Sequence, residues 1–123
     1  MRKAKLTLAA AAMAAGVIGA WGIQSLEAQD KPAAFKRTPL QKHDLTAQGR
    51  EGVQVLAEFA PGAAAGRHTH PGEEMGYVLE GTLQLEIEGK PPVTLNAGQA
   101  FFVPAGVVHD GKNIGKGPLK VLA

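Results

Sequence analysis

Four residues of this chain have the side-chain types and the spacing of a metal site: His68, His70, Glu74 and His109. Side chains alternate between the two faces of a β-strand, so His68 and His70 are predicted to point the same way from one strand. Neutral imidazole and carboxylate groups are good ligands for divalent first-row metal ions. The pattern predicts one metal ion held by all four side chains, with Glu74 as a candidate acid or base in addition.

Glycine and proline surround these four residues in two segments of fixed spacing. The first segment reads Gly62-x5-His68-x-His70-x3-Glu74-x6-Gly81. The second segment reads Gly98-x5-Pro104-x-Gly106-x2-His109-x3-Asn113. Together they resemble the two sequence motifs of the cupin family, and the resemblance covers roughly residues 36–123.

The resemblance implies a fold, a cofactor and an assembly. The fold is all-β, a small antiparallel β-barrel of the jelly-roll type that forms a single domain. The cofactor is one divalent transition metal, with Fe or Mn favoured and Ni, Cu or Zn as alternatives. The assembly is a homodimer, in which the arm at residues 35–45 adds to the partner's sheet. The resemblance does not imply one reaction, because such a fold hosts many chemistries.

The residues alone also favour an all-β domain over residues 36–123. Short segments with alternating or apolar character recur about every ten residues between Gly and Pro turns, which is typical of a sandwich or barrel. Thr82 to Glu88 alternates most clearly, with Leu83, Leu85 and Ile87 predicted to face inward. No stretch after residue 35 has helical periodicity.

The predicted inward side chains are apolar: Val53, Val55, Phe59, Val78, Leu83, Leu85, Ile87, and Phe101 or Phe102. We therefore expect a mostly apolar cavity with the metal at one end and without an inward Arg or Lys. Such a cavity suits a small, oxygen-chelating molecule. It does not suit phosphorylated sugars, which are bound by Arg or Lys clamps. Met75 and Tyr77 are expected to pack in the core or in a dimer interface.

The N-terminus has the layout of a secretory signal. Arg2, Lys3 and Lys5 precede an apolar, Ala-rich run at residues 6–23, and Ala20 and Ala28 are compatible with cleavage. We predict a signal peptide at residues 1–28, with a retained anchor as the alternative, and a flexible lead-in at residues 29–35. Either interpretation places the barrel outside the cytoplasm, in a periplasm or extracellular space.

Charge and cysteine content narrow the partners and the chemistry. The whole chain has 13 basic and 11 acidic residues, but without residues 1–28 the counts become 10 and 10. A neutral domain does not indicate a nucleic-acid partner, and no membrane contact is expected beyond the signal or anchor segment. Cysteine is absent, which excludes thiol redox chemistry. The expected partner is a small molecule.

Three functional hypotheses follow from an incompletely filled metal shell. Three imidazoles and one carboxylate leave two positions of an octahedral ion free for a ligand, as catalytic sites require. The first hypothesis is a metal-dependent oxygenase with dioxygenase-like activity on a flavonol, catechol or diketone. The second is a metal-dependent isomerase, lyase or decarboxylase, against which the expected lack of inward cations counts. The third is a non-catalytic module that binds a small ligand or only metal, and a metal-free scaffold is the remaining alternative.

Overall fold

The structure, a computed structural model, describes residues 34–123, which form eight strands and no helix. The strands are β1 Phe35–Asp44, β2 Glu51–Phe59, β3 Glu74–Glu80, β4 Thr82–Ile87, β5 Val93–Asn96, β6 Ala100–Val103, β7 His109–Asn113 and β8 Leu119–Leu122. The predicted signal segment and most of the lead-in lie outside the described residues. Residues 34–123 contain no helix of the length and apolarity that crossing a bilayer takes.

The strands form two antiparallel sheets, which confirms the all-β prediction. One sheet has the order β1-β2-β8-β3-β6, and the other has the order β5-β4-β7. Strand β1 lies at the edge of the larger sheet, where a register shift occurs between Pro39 and Gln41. Proline is tolerated there because an edge strand leaves one row of backbone donors unpaired in any case.

The core lies between the two sheets and is closed by side chains from both. The larger sheet contributes Phe59, Val78, Val103, Leu119 and Val121, and the smaller sheet contributes Leu83, Leu85 and Leu95. The alternation predicted for β4 is confirmed, since Leu83 and Leu85 are buried and Ile87 is partly buried. Two facing sheets that share one apolar interior form the expected jelly-roll barrel.

The structure corrects the expectation that Met75 and Tyr77 on β3 pack in the core, and it decides which phenylalanine of β6 faces inward. Met75 is 79% exposed and Tyr77 is 44% exposed, so neither belongs to the core of the protomer. The reason is the alternation of side chains along β3, which turns Gly76 and Val78 inward and the odd-numbered residues outward. On β6, Phe101 is the inward phenylalanine, and it packs where a Gly76 side chain would otherwise lie. Phe102 points outward and is 54% exposed.

Candidate metal site

The four predicted ligands come from three parts of the barrel. His109 opens β7 in the smaller sheet, and Glu74 opens β3 in the larger sheet. His68 and His70 lie in the connection between β2 and β3. The sequence prediction of one regular strand carrying both is wrong, because only His68 pairs, in an isolated bridge with His109. The bridge is made by two backbone hydrogen bonds of 3.0 Å, one in each direction between His68 and His109.

The structure nevertheless brings all four side chains together. Ligand atoms of His68, His70 and His109 lie within 4.8 Å of one another, a grouping that could hold a metal ion. The Glu74 Oε2 atom lies 2.9 Å from His70 Nε2 and 2.9 Å from His109 Nε2. His109 is buried, whereas His70 and Glu74 keep 31% and 22% of their side chains exposed. The cluster is therefore anchored on one side and accessible on the other.

Backbone carbonyl groups set the orientation of all three imidazole rings. Each Nδ1 atom donates to a carbonyl oxygen two residues away: His68 to Gly66 at 2.6 Å, His70 to Gly72 at 2.9 Å, and His109 to Val107 at 2.9 Å. A carbonyl oxygen only accepts, so each Nδ1 carries the proton, and a neutral ring then presents the Nε2 lone pair. Such bonds at the second nitrogen are the usual support of metal-bound histidines.

The contacts of Glu74 test whether a cation fits this site. If the rings are neutral, Nε2 and the carboxylate oxygen are both lone-pair atoms, and a 2.9 Å approach is favourable only with a cation near both. Neighbouring ligands of an octahedral ion lie about 3 Å apart when each bond is about 2.1 Å. The donor types and the observed separations therefore fit a divalent transition metal. The alternative without an ion is a carboxylate between two protonated rings.

The candidate site lies in the wall of a cavity of about 1030 Å³. Apolar side chains form much of that wall, as predicted, including Val55, Phe59, Leu83 and Leu85. Contrary to the expectation, two cations also line the cavity, Arg37 and Arg50, and both are exposed to solvent. Neither lies in the two motif segments, so the spacing pattern gave no signal for them.

Three further charged or polar residues have surface positions. Glu73 is exposed, and its carboxylate lies 3.9 Å from the Arg50 guanidinium. Arg67 pairs with Glu88 at 3.3 Å on the surface. His43 is exposed on β1, away from the cluster. Among residues 34–123, the histidine cluster is therefore confined to the three motif positions.

Comparison with known proteins decides the family. The sequence model of the Cupin domain family matches residues 55–123, more than half of the chain. The chain belongs to the cupin family. Germin-like protein subfamily 2 member 2 of Arabidopsis thaliana is 39% identical over 71 residues, which are 54% of this chain and 32% of that protein. This cupin thus spans about a third of the length of the first curated relatives that it matches.

Solved structures confirm the cupin fold. Oxalate oxidase in complex with glycolate superposes with a TM-score of 0.61 at 23% identity, over 76% of this chain and 51% of that one. A predicted oxalate decarboxylase from Thermotoga maritima gives a TM-score of 0.53 at 32% identity, over 57% of this chain and 61% of that one. The first likeness, at this low identity, carries the fold alone.

Proposed function

We propose that this cupin is a metal-dependent oxygenase, dioxygenase-like, that acts on a small and largely apolar molecule chelating through oxygen. The observation that carries the proposal is the convergence of three imidazole nitrogens and the Glu74 carboxylate at the wall of an apolar cavity. Partial exposure of His70 and Glu74 leaves room beside the ligands for a second molecule. An apolar wall with a few convergent polar groups is typical of small-molecule sites.

In this proposal His68, His70, Glu74 and His109 hold one ion, Fe or Mn in preference to Ni, Cu or Zn. The ion, when bound, would bring a chelating substrate and dioxygen together and stabilise developing negative charge. The protein side chains do the rest. The carbonyl-bound Nδ1 protons fix the three rings, the apolar wall excludes water, and the Glu74 carboxylate accepts or returns a proton of the substrate.

The proposal also includes the parts of the protein around the site. Residues 1–28 act as an export signal, residues 29–35 as a lead-in, and the barrel works in a periplasmic or extracellular space. Two copies form a homodimer. The outward apolar side chains of β3 and β6 support this assembly, because Met75 lies opposite Phe102 and both are more than half exposed.

A specific observation favours a second candidate, a metal-dependent decarboxylase or lyase. The predicted absence of inward cations counts against this class, and the exposed Arg37 and Arg50 at the cavity wall weaken that objection. The 32% identity to the predicted oxalate decarboxylase points in the same direction. The two candidates differ in one requirement, since only the oxygenase consumes dioxygen.

The deciding experiment combines metal analysis with oxygen uptake. Protein purified from its exported compartment is analysed for metals, loaded with the ion found, and assayed with a flavonol, a catechol and a β-diketone. We expect uptake with at least one of them in wild type and in His43→Ala, a matched control outside the cluster. We expect neither bound metal nor uptake in His68→Ala/His70→Ala.

Other results would favour the remaining classes. Product formation from a carboxylic acid under anaerobic conditions would support the decarboxylase or lyase. A ligand-dependent rise in melting temperature without any product would support a binding module. Unchanged metal content in the double variant would remove the metal assignment on which all three depend.

A further inference from the structure

The edge strand β1 places an arginine, Arg37, at the wall of the cavity, where it is exposed to solvent. Phe35 pairs with Phe59, Arg37 pairs with Ala57, and all four residues line the cavity. The Phe35 and Phe59 rings stack with centroids 4.6 Å apart, which fixes the inward face of this part of β1. Lys36, between them, belongs to the opposite face because side chains alternate along a strand.

Arg37 differs from the other charged residues of the cavity wall. Arg50 has Glu73 at 3.9 Å, and Glu51 has Lys42 at 3.4 Å, so these charges are balanced within the protein. Within residues 34–123, no carboxylate forms an ion pair with Arg37. Its planar guanidinium can donate two parallel hydrogen bonds to one carboxylate, and this geometry makes arginine selective for that group.

The register places Arg37 well away from the candidate metal site. Arg37, Ala57, Val121 and Val78 form one row across the larger sheet, and Glu74 lies four residues before Val78. Arg37 and Glu74 are therefore separated by about 13 Å along the strands and by about 14 Å across three strand spacings. The side chains between them on the inner face are apolar. A molecule that contacts both Arg37 and the candidate metal site must have an elongated apolar body.

From this arrangement we propose that Arg37 binds a carboxylate of the substrate. The substrate class is an elongated carboxylic acid, with the carboxylate at β1, an apolar body along the wall, and an oxygen-bearing end at the histidines. The inference rests on the proposed function for the role of that second end. Carboxylate binding by Arg37 does not require the metal, so the two can be tested separately.

The test measures binding of two ligands that share one body, 1-naphthylacetate and its neutral analogue 1-naphthylacetamide. Isothermal titration calorimetry is performed on the purified protein before and after metal removal with EDTA. We expect the metal-free wild type to prefer the carboxylate. Arg37→Gln should weaken 1-naphthylacetate binding roughly tenfold, the usual effect of losing a charge-assisted hydrogen bond, and leave 1-naphthylacetamide binding unchanged.

Two variants serve as controls for charge and for position. Lys36→Gln removes the same charge from the neighbouring residue on the outer face, and we expect it to leave both affinities unchanged. Arg50→Gln removes the other cation of the wall, whose charge Glu73 already balances, and a smaller effect is expected.

Wild-type affinity of Arg37→Gln for 1-naphthylacetate would overturn the proposal, and so would equal weakening by Lys36→Gln or weakening by Arg50→Gln alone. No preference of the wild type for the carboxylate, or no binding of either ligand at millimolar concentration, would overturn it as well. Failure of the metal-dependent oxygenase would appear instead in the metal content and oxygen uptake. The Arg37-dependent preference in metal-free protein would be unaffected by that failure.

Discussion

At the scale of single residues, the hydrogen bond of each histidine Nδ1 atom sets the orientation of its ring in the candidate site. Carbonyl groups two positions away accept from the Nδ1 atoms, and the Nε2 atoms of His70 and His109 face Glu74. The Glu74 carboxylate then meets two Nε2 atoms at 2.9 Å, a separation that suits neighbouring ligands of one ion. The role of Glu74 as fourth ligand is the part of the proposal that one substitution tests.

Glu74→Gln keeps the size of the side chain but removes the anionic donor. We expect metal affinity to fall by more than roughly tenfold, since loss of a mere supporting group already costs that much. Competition with a chromophoric chelator measures this affinity. The control is Glu73→Gln, which removes an exposed neighbouring carboxylate and should bind metal as wild type does. Equal affinities in the two variants would contradict the assignment of Glu74.

At the scale of elements, the turn between β3 and β4 moves the chain from one sheet to the other within a single residue. Gly81 makes this step with φ of 88°. A Cβ atom at this position would lie 2.5 Å from the Pro118 carbonyl oxygen. Glycine is thus needed here both for the left-handed backbone and for the close approach of the segment before β8.

Gly81→Ala should lower the free energy of unfolding by about 1–3 kcal/mol for the strained backbone, with a further loss from the contact with Pro118. The matched control is Gly89→Ala, at φ of 81° with no atom near the added Cβ, which isolates the backbone contribution. Urea denaturation, monitored by circular dichroism, compares the free energies of unfolding of the two variants. A smaller loss in Gly81→Ala than in Gly89→Ala would refute the importance of the close approach.

At the scale of the whole molecule, the larger sheet has an apolar outer face where β3 and β6 lie side by side. We call Met75, Tyr77, Leu79 and Phe102 the outer patch, and each side chain is at least 44% exposed. Contiguous exposed apolar groups of this kind are typical of interaction surfaces. A small domain also gains buried surface by pairing. The outer patch is therefore where we expect a second copy of this chain to bind.

Met75→Lys/Phe102→Lys places two positive charges opposite each other in the outer patch. We expect this variant to sediment as a monomer at concentrations where wild type is a dimer, because a buried unpaired charge is strongly unfavourable. Val93→Lys is the control, since Val93 is 48% exposed on β5 in the other sheet and should leave the dimer intact. A wild-type monomer, or a double variant that still dimerises, would refute the interface.

The sequence by itself predicted the four residues of the candidate metal site and the core face of β4. Spacing indicated the four residues of the candidate site, His68, His70, Glu74 and His109. Strict alternation indicated the inward leucines of β4. Both signals are local patterns of side-chain type, which the sequence displays directly. Only the tertiary structure decided that His68 pairs with His109 and that Arg37 faces the cavity. Strand β1 has no clear alternation, so its inward face depends on the register with β2. Such pairing between distant segments is fixed by the packing of the whole barrel rather than by local sequence.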